Sequence, residues 1–479
     1  MELESTMSDK IAYYVTEAIK QATEPIVEEL NKAHMEISRL KAIINKDSSN
    51  SSKPPSTNGF KNIPNNREKS GKKQGGQKGH PGHRIQLPEN MEGLEEKGIV
   101  EKRILDYTDG IVEYISRYTI DVEMKVIVTE HRFPKDARLP EGLYNEVSYG
   151  DRIKAQTVLL LNEGIVAHKR LSEIISGLTH GTVNLSTGTM NKFQRDFANN
   201  MRESGEIEKI KQDLLNSHVM NTDDTSMRTL ERIVYPEKAG EPPTYERAEK
   251  KSFRATVRTH SNQRSTLFTV NPQKDIKGIE RDGILPLYMG KLCHDHESKF
   301  YNYGKENGVC GSHLLRDLKG LRDLSKCQWA EEMRVFVSKM NDYKNKDLSM
   351  GVLFCDPEKL SCFENEYDRI IENGRVAISA MKKGEWGYAE FNAMLNRLTK
   401  HKDNYMLFIR DYEVPFTNNQ AERDLRSEKT KEKVSGLFRS WEGIVDHSNI
   451  RSFMSTLKKR GMDLCSAIQQ VINDQPVFT

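Results

Sequence analysis

The chain has 479 residues, of which 30% are charged and 36% are hydrophobic, and its formal net charge is +3. The length predicts about three domains, and the apolar content is sufficient for their cores. No apolar run approaches the roughly 18 residues that a membrane span needs, and the start MELESTMSDK lacks the pattern of a secretory signal. We therefore expect a cytoplasmic protein without a membrane partner. The small net charge does not by itself indicate nucleic-acid binding.

Residues 1–46 predict an N-terminal helix with a coiled-coil-like apolar seam. Its apolar positions alternate by four and three residues and comprise Ile26, Leu30, Ala33, Ile37, Leu40 and Ile44. Nearly three heptads are short for an independent coiled coil. Docking on the protein's own body and self-association of two chains are both open interpretations.

Residues 47–86 are rich in Ser, Asn, Gly, Pro and Lys and predict a flexible basic linker. Between Asp47 and Arg84, eight lysines and arginines stand against two acids. A flexible basic segment can follow DNA phosphates, which makes Lys72, Lys73 and Lys78 candidate DNA contacts. The alternative is a linker whose charges are only solvated.

Residues 87–148 include the run VEYISRYTIDVEMKVIVTEHR, whose alternation of apolar and polar residues predicts a small β-rich module. In residues 149–213, the segment RLSEIISGLTHGTVNLSTGTMNKFQRDF predicts a helix, a turn and a second helix that begins at Ser186 or Thr187. A helix-turn-helix places the start of its second helix in the major groove, where Thr187, Thr189 and Lys192 would lie. A helical hairpin without DNA contact is the alternative.

The next region predicts strands that end in acids. SFRATVRTH and STLFTVNP are typical of paired strands, while HVMNT is followed by Asp223 and KLCHD ends in Asp295. Residues 315–405 are helical in pattern. The run PFTNNQAERDLR then opens another helix, in which Thr417 and Gln420 fit a capping box.

Asp223, Asp295 and Glu422 are candidate ligands for divalent metal. Two Mg²⁺ ions about 3.5 to 4 Å apart can promote phosphodiester displacement, and such hard cations prefer carboxylate oxygen. The sequence contains 70 acidic residues, so these three are not distinguished by spacing alone. For Glu422 the local alternative is a surface ion pair with Arg426, four residues along the same helix.

The cysteines occur late in the chain, all six between Cys293 and Cys465, as is typical of reduced thiols. Together with nearby histidines they offer enough ligands for tetrahedral zinc: Cys293, His294, His296, Cys310 and His313. The spacing matches no common zinc finger, and buried thiols with hydrogen-bonded imidazoles are favoured. The sequence contains neither a phosphate-binding GxxxxGK[ST] loop nor a GxSxG elbow.

Several long motifs follow one another in a recognisable order. They are DSSNSSKPPS, GKKQGGQKGHPG, LTHGTVNLSTGTM, NTDDTSMR, LCHDHESKFYNYG, CGSHLLRDL, PFTNNQAERDLR and SGLFRSWEG. Through most of its length the chain resembles transposases of the insertion sequence 66 family.

This resemblance implies a multidomain α+β protein with a ribonuclease-H-like α/β catalytic core. The core would comprise residues 214–314 and 406–445, with residues 315–405 as a helical insertion and residues 446–479 as a C-terminal helical region. The family's Asp-Asp-Glu site falls on Asp223, Asp295 and Glu422 and would bind two Mg²⁺ or Mn²⁺ ions. Asp224 would be an auxiliary ligand.

The resemblance also implies roles for residues around this site. Asn418 and Asn419 would fix the start of the helix that carries Glu422, and Arg423 and Arg426 would contact phosphate or pair with acids. Cys310 and His313 match a C-x-x-H element found after the second acid in such enzymes; we group them as structural residues and leave the role of the element open. Many family members carry a cysteine-pair zinc module after GGQKGHPG, and its cysteines are missing here, so we expect no zinc in the N-terminal half.

The implied activity is binding of double-stranded DNA at the terminal inverted repeats of an insertion sequence, followed by cleavage and strand transfer into target DNA. The protein would act as a homo-oligomer, with small accessory proteins of the element as further partners. Two alternatives are open: a catalytically inactive or domesticated DNA-binding protein, and a stand-alone ribonuclease-H-like nuclease.

Overall fold

The structure is a computed structural model that describes residues 2–44, 87–107, 113, 115–140, 143, 145–236, 241–325 and 327–478. The predicted basic linker, with Lys72, Lys73 and Lys78, lies outside the described residues. The chain divides into two compact units: one contains Met1–Lys61 and Thr129–Thr479, and the other contains Asn62–Val128.

The described residues form fifteen α-helices and seven strands. The helices are α1 Glu2–Ile44, α2 Met91–Glu96, α3 Asp151–Asn162, α4 His168–Leu178, α5 Thr187–Glu203, α6 Glu206–Leu215, α7 Ile276–Asp282, α8 Gly311–Ser325, α9 Gln328–Ser349, α10 Pro357–Ser379, α11 Tyr388–Lys400, α12 Lys402–Arg410, α13 Asn419–Ser435, α14 Trp441–Lys459 and α15 Leu464–Ile472. The strands are β1 Val219–Thr229, β2 Glu231–Val234, β3 Thr244–Arg247, β4 Phe253–Ser261, β5 Thr266–Asn271, β6 Lys291–His294 and β7 Glu306–Val309.

Five strands form one mixed sheet in the order β5-β4-β1-β6-β7. Strand β4 is antiparallel to both β1 and β5, whereas β6 is parallel to β1 and to β7. The predicted pairing of SFRATVRTH with STLFTVNP is confirmed as the β4–β5 pair, in which Thr259 lies opposite Phe268. Strands β2 and β3 form a separate antiparallel pair. Because β6 and β7 run parallel to β1, their carboxyl ends meet at one edge of the sheet.

Two helices cover the face of the sheet that carries Asp223. Met227 of β1, Val257 of β4 and Phe268 of β5 pack in one apolar cluster with Leu425 of α13 and Trp441 of α14. Burial of a leucine of this kind contributes about 1.5–3 kcal/mol. This packing fixes α13 across the strand that bears the first candidate acid.

Two further apolar cores stand beside this cluster. One joins helices α3 to α6 with α14 and α15, through side chains such as Leu161, Phe197 and Phe453. The other lies in the region between β7 and α13, where α8 to α12 surround Trp329 and Tyr367. Helix α10 begins with Asp356 as its N-cap residue and Pro357 at its first position.

The small β-rich module over residues 87–148 stays a prediction, because part of this range lies outside the described residues. Their one regular element is the short helix α2, and no strand occurs among them. Tyr107, Val122 and Val128 are 83%, 84% and 90% exposed. Alternation predicts a strand only where a partner strand and a core face are available, and an isolated pair of strands has marginal stability.

The predicted N-terminal helix is present as α1, which continues through Pro25. Its seam residues Ile26, Leu30, Ile37, Leu40 and Ile44 are 47–69% exposed. Among the described residues nothing covers this seam, and both docking of the seam and self-association through it stay predictions. No helix in the described ranges combines the length and the apolar character needed to cross a bilayer.

Candidate active site

Asp223 and Asp295 lie side by side on two parallel strands. Strand β1 pairs with β6 in a register that matches Val219 with Lys291 and Asn221 with Cys293, a constant offset of 72 residues. The same offset relates Asp223, within β1, to Asp295, which directly follows β6. The two carboxylates therefore occupy the same level of the sheet. The expectation that both acids end their strands is correct for Asp295 and wrong for Asp223, because β1 continues to Thr229.

The charges of the candidate acids affect one another. The pKa of Asp223 is raised to about 7, chiefly by burial and then by the charge of Asp295, with smaller contributions from Asp224 and Glu422. The pKa of Asp295 is raised to about 6 by burial and by the neighbouring Glu297. Burial disfavours the charged form of a carboxyl group, and a like charge nearby adds to this effect. Asp223, Asp295 and Glu422 are called the acidic cluster below.

Asp224 belongs to a different set of contacts. Successive residues of a strand point to opposite faces, so its side chain leaves the face that carries Asp223. Its carboxylate lies 2.5 Å from Lys299 Nζ, 3.0 Å from Lys274 Nζ and 3.7 Å from Nη2 of the buried Arg258. Three cations of the chain already neutralise it, so its contacts argue against the predicted auxiliary role in metal binding.

The acidic cluster fits a divalent cation. Among the described residues, no Lys, Arg or His lies within 4.0 Å of a carboxylate oxygen of Asp223 or Asp295, in contrast to Asp224. Glu422 Oε1 is buried and has no hydrogen-bond partner. Carboxylate oxygens that are buried, mutually repelling and without a cation are the donor set that Mg²⁺ or Mn²⁺ prefers.

Buried amide contacts position the start of α13. Asn418 precedes the helix as its N-cap residue and is 1% exposed. Asn221 Nδ2 of β1 donates to Asn418 Oδ1 at 2.9 Å, and Asn418 Nδ2 donates to the carbonyl of Thr222 at 2.8 Å. The backbone N–H of Asn418 donates to Cys310 Sγ at 3.2 Å. These bonds attach the helix that carries Glu422 to the strand that carries Asp223.

Two local predictions for this helix are wrong. The capping box of Thr417 and Gln420 does not form, since Gln420 Nε2 donates to Asp424 instead and the helix begins two residues after Thr417. The tertiary bonds of Asn418 override the local capping signal. The surface ion pair of Glu422 with Arg426 is not formed either. The basic side chain that Glu422 contacts is His313, whose Nδ1 lies 3.7 Å from Glu422 Oε1.

The five predicted zinc-ligand candidates separate into two groups. The Cys293 thiol is buried, which raises its pKa. His294 Nε2 contacts Asn307 Oδ1 at 3.1 Å, and His296 Nδ1 contacts the Tyr301 hydroxyl at 2.7 Å. Burial lowers the pKa of each of these two histidines to about 4. In this group the structure therefore has the favoured arrangement, a buried thiol and two hydrogen-bonded imidazoles.

Cys310 and His313 form the other group, with Glu422. One ligand atom from each of the three residues lies within 4.8 Å of the other two. Cys310 is buried, and burial raises the pKa of its thiol, while burial lowers the pKa of the His313 imidazole. Like Glu422 Oε1, His313 Nδ1 is buried without a hydrogen-bond partner.

Gly311, between Cys310 and His313, allows the close approach of α8 to the start of α13. Its N–H donates to the carbonyl of Phe416 at 2.8 Å, and a Cβ at this position would clash with the Phe416 ring. We expect Gly311→Ala to lower the free energy of unfolding by about 1–3 kcal/mol through overpacking. Urea unfolding measures the change. Gly177→Ala is the control, because a Cβ at this helical position meets nothing within 4 Å. Equal stability of the two variants would contradict the expected clash.

The predicted helix-turn-helix corresponds to α4 and α5. Helix α5 starts at Thr187, as expected, and Ser186 Oγ accepts from the N–H of Thr189 at 3.0 Å. Thr187 and Lys192 are exposed, whereas the Thr189 hydroxyl contacts Ser186 Oγ at 2.9 Å. The opposite face of α5 is buried through Phe193 and Phe197. Arg423 and Arg426 are likewise exposed on α13.

Sequence reasoning missed the cations that surround Asp224. Lys274 and Lys299 also contact Glu297, and Arg258 forms a close ion pair with Asp282. Arg258 stands in a β-strand pattern and gives no local signal of burial. The pairing of Asp224 with Arg258 is visible only once β1 and β4 are placed in register.

Comparison with known protein families shows which family the chain belongs to. The sequence model of the family described as Transposase IS66 family matches residues 146–446, more than half of the chain. The chain belongs to this family. A second model, described as a family of unknown function (DUF6444), matches residues 12–86 of this IS66-family chain.

Among curated proteins, the uncharacterized protein y4jO of Sinorhizobium fredii is 36% identical over 76 residues. The match covers 16% of the IS66-family chain and spans 24% of the length of that relative. The chain is similar to two solved structures. One is the Drosophila P element transposase strand transfer complex, with TM-score 0.31 and 10% identity over 68% of this chain and 95% of that one. The other is the Mos1 strand transfer complex, with TM-score 0.11 and 12% identity over 56% and 80%. Both TM-scores are too low to support a conclusion about this chain.

Proposed function

We propose that this IS66-family chain is an active DNA transposase that cleaves the ends of an insertion sequence and joins them to target DNA. The observation that carries the proposal is the acidic cluster: Asp223 and Asp295 at one level of parallel strands, with Glu422 close enough to influence the pKa of Asp223. The mixed five-stranded sheet that carries Asp223 and Asp295 supports it too, because the family resemblance implies an α/β catalytic core for these residues.

Asp223, Asp295 and Glu422 would hold two divalent cations, Mg²⁺ or Mn²⁺. When bound, such a pair activates an attacking oxygen and stabilises the leaving oxygen of a phosphodiester. The chain contributes the fixed carboxylates: β1 and β6 hold two of them, and the Asn221–Asn418 contact holds the helix of the third. Hydrolysis at the element's end would free a 3′-hydroxyl, which would then attack target DNA without a covalent enzyme intermediate.

DNA would be held by exposed basic groups around the cluster. Arg423 and Arg426 follow Glu422 on α13, and Lys192 lies on the exposed face of α5. The predicted linker cations Lys72, Lys73 and Lys78 would add phosphate contacts. Binding of two element ends by a homo-oligomer through α1, with or without accessory proteins, completes the proposal.

Replacement of one such cation should weaken DNA binding in a salt-dependent way. We expect Arg426→Gln to reduce affinity for all DNA sequences and to lower the slope of log affinity against log salt by about 1, because one phosphate contact is lost. Fluorescence anisotropy with element-end and unrelated duplexes at several salt concentrations measures this. Arg375→Gln, an exposed arginine of α10, is the control. An unchanged slope for Arg426→Gln would remove this residue from the interface.

Incubation of the purified protein with candidate element ends, Mg²⁺ and plasmid DNA, followed by sequencing of junctions, tests the proposed activity. Junctions between element ends and plasmid are expected of a transposase. Cleavage without joining would indicate a stand-alone nuclease. Binding of ends without cleavage under Mg²⁺ or Mn²⁺ would indicate an inactive or domesticated DNA-binding protein.

A further inference from the structure

Glu422 is a member of two groups of potential metal ligands. One is the acidic cluster, which contains oxygen ligands alone. The other consists of Cys310 Sγ, a nitrogen of His313 and a carboxylate oxygen of Glu422, all within 4.8 Å of one another. The second group offers a thiol, an imidazole and a carboxylate to one point in space.

We propose that Cys310, His313 and Glu422 form a binding site for a soft divalent cation of the zinc class, and that occupation of this site withdraws Glu422 from the acidic cluster. The binding part of this inference is independent of the proposed function. The inhibitory part rests on it, since withdrawal of Glu422 matters only if the acidic cluster catalyses DNA joining.

The distances suit tetrahedral coordination after a small contraction. Zinc bonds of about 2.3 Å to sulfur and about 2.0–2.1 Å to nitrogen or oxygen place neighbouring ligand atoms about 3.4–3.6 Å apart. His313 Nδ1 and Glu422 Oε1 are 3.7 Å apart without any ion between them. The other distances between ligand atoms are at most 4.8 Å. Side-chain rotations that move these atoms by about 1 Å would bring them to the separation of zinc ligands. Three protein ligands leave a fourth position for water.

The polar atoms of this group lack other partners. His313 Nδ1 and Glu422 Oε1 are both buried and form no hydrogen bond. A buried polar atom without a partner costs about 1–3 kcal/mol, and coordination of a cation would remove this cost. Cys310 has the outer contact that metal-bound thiolates commonly accept, the N–H of Asn418 at 3.2 Å.

Cys310 and His313 are brought together at the start of α8. Cys310 directly precedes this 15-residue helix and His313 lies in its first turn, and their ligand atoms lie within 4.8 Å of each other. The partial positive charge of a helix N-terminus opposes the burial that raises the pKa of the Cys310 thiol. Asn418 also attaches α13 to β1, so one residue contacts both Cys310 and the strand that carries Asp223.

The two groups differ in the class of ion that they select. Thiolate and imidazole ligands favour zinc-class cations, whereas oxygen ligands favour Mg²⁺ and Mn²⁺. A zinc-class ion would thus compete for Glu422 without direct competition at Asp223 or Asp295. Low concentrations of Zn²⁺ should then suppress joining in the presence of excess Mg²⁺.

Titration of the full-length, chelator-treated protein with Co²⁺ alone tests the binding part. We expect a near-ultraviolet band from a cobalt–thiolate bond and visible bands of tetrahedral Co²⁺, reversed by one equivalent of Zn²⁺. Cys310→Ser should abolish the thiolate band, and His313→Gln should weaken Zn²⁺ binding at least about 100-fold, beyond the usual loss from an outer-shell partner. Cys362→Ser, at an exposed thiol of α10, should leave the spectrum unchanged.

Two results would overturn the site: no thiolate band in the unmodified protein, or a band that survives in Cys310→Ser. Circular dichroism confirms that each variant is folded, and His313→Gln supplies a second test if Cys310→Ser does not fold.

In the joining assay, Zn²⁺ should inhibit the unmodified protein at least tenfold more strongly than His313→Gln, each relative to its own activity with Mg²⁺ alone. A cobalt band with no joining under any condition would leave the site intact and refute the proposed function. Joining that is insensitive to Zn²⁺ despite the band would refute the inhibitory part.

Discussion

Asp295→Asn is expected to lower DNA joining by at least about 10³-fold, because loss of a metal ligand removes several kcal/mol of transition-state stabilisation. The substitution keeps an Oδ1 acceptor for the N–H of Glu297, which donates to Asp295 at 3.2 Å, so the local backbone should be preserved. Joining of labelled element ends to plasmid DNA in Mg²⁺ measures the loss. Affinity for the same ends, from gel-shift titration, should be unchanged.

Glu306→Gln is the matched control for this variant. Glu306 is an exposed acid at the start of β7, paired with Lys291 on the same sheet. The Glu306→Gln variant should join DNA at the rate of the unmodified protein. Undiminished joining by Asp295→Asn would exclude Asp295 from the active site, whereas equal losses in both variants would indicate a general effect of acid removal on the sheet.

The adjacent residues Asp223 and Asp224 should respond in opposite directions to the same substitution. In chelator at pH 8, we expect Asp223→Asn to raise the free energy of unfolding by roughly 1–3 kcal/mol. The folded-state pKa of Asp223, about 7, exceeds its ordinary value of 3.8. The folded state therefore binds more protons between these values, and the contribution of Asp223 to stability falls as the pH rises from about 4 to about 7. The gain from Asn should be complete above pH 7 and absent below about pH 4.

Asp224→Asn should instead lower the free energy of unfolding by about 3 kcal/mol, because it leaves the buried Arg258 and two lysines with less negative charge. Urea unfolding followed by circular dichroism at pH 8 and at pH 4, with chelator throughout, measures both variants. Equal destabilisation would show that Asp223 is paired like its neighbour. Addition of Mg²⁺ should stabilise the unmodified protein more than Asp223→Asn, because that variant lacks a ligand.

The parts of the site that the sequence revealed are those with local signals. Alternating apolar residues predicted the β4–β5 pair, and the motifs around Asp223, Asp295 and Glu422 carried the family resemblance. Strand register could not be read in the same way, so the common level of Asp223 and Asp295 emerged only from the pairing of β1 with β6. The position of Asn418, fixed by Asn221 and Cys310, likewise depends on contacts between residues more than 100 positions apart.

Two local patterns were weak guides. They are the alternation in residues 87–148, which is not accompanied by a strand in the described residues, and the capping signal of Thr417, which does not form. The former has no partner strand among the described residues, and the latter competes with buried hydrogen bonds of Asn418. Local pattern predicts an element only where tertiary contacts agree with it.

The order of the three acids along the chain determines when the acidic cluster can form during translation. The third acid lies on α13, and α14 must still be added before its side chains Trp441 and Ile444 can close the apolar cluster over β1. A nascent chain that has been translated through Asp223 and Asp295, but not through α13, thus lacks the third acid of the cluster. If the proposed activity is correct, the chain gains it only after α13 and α14 have been translated.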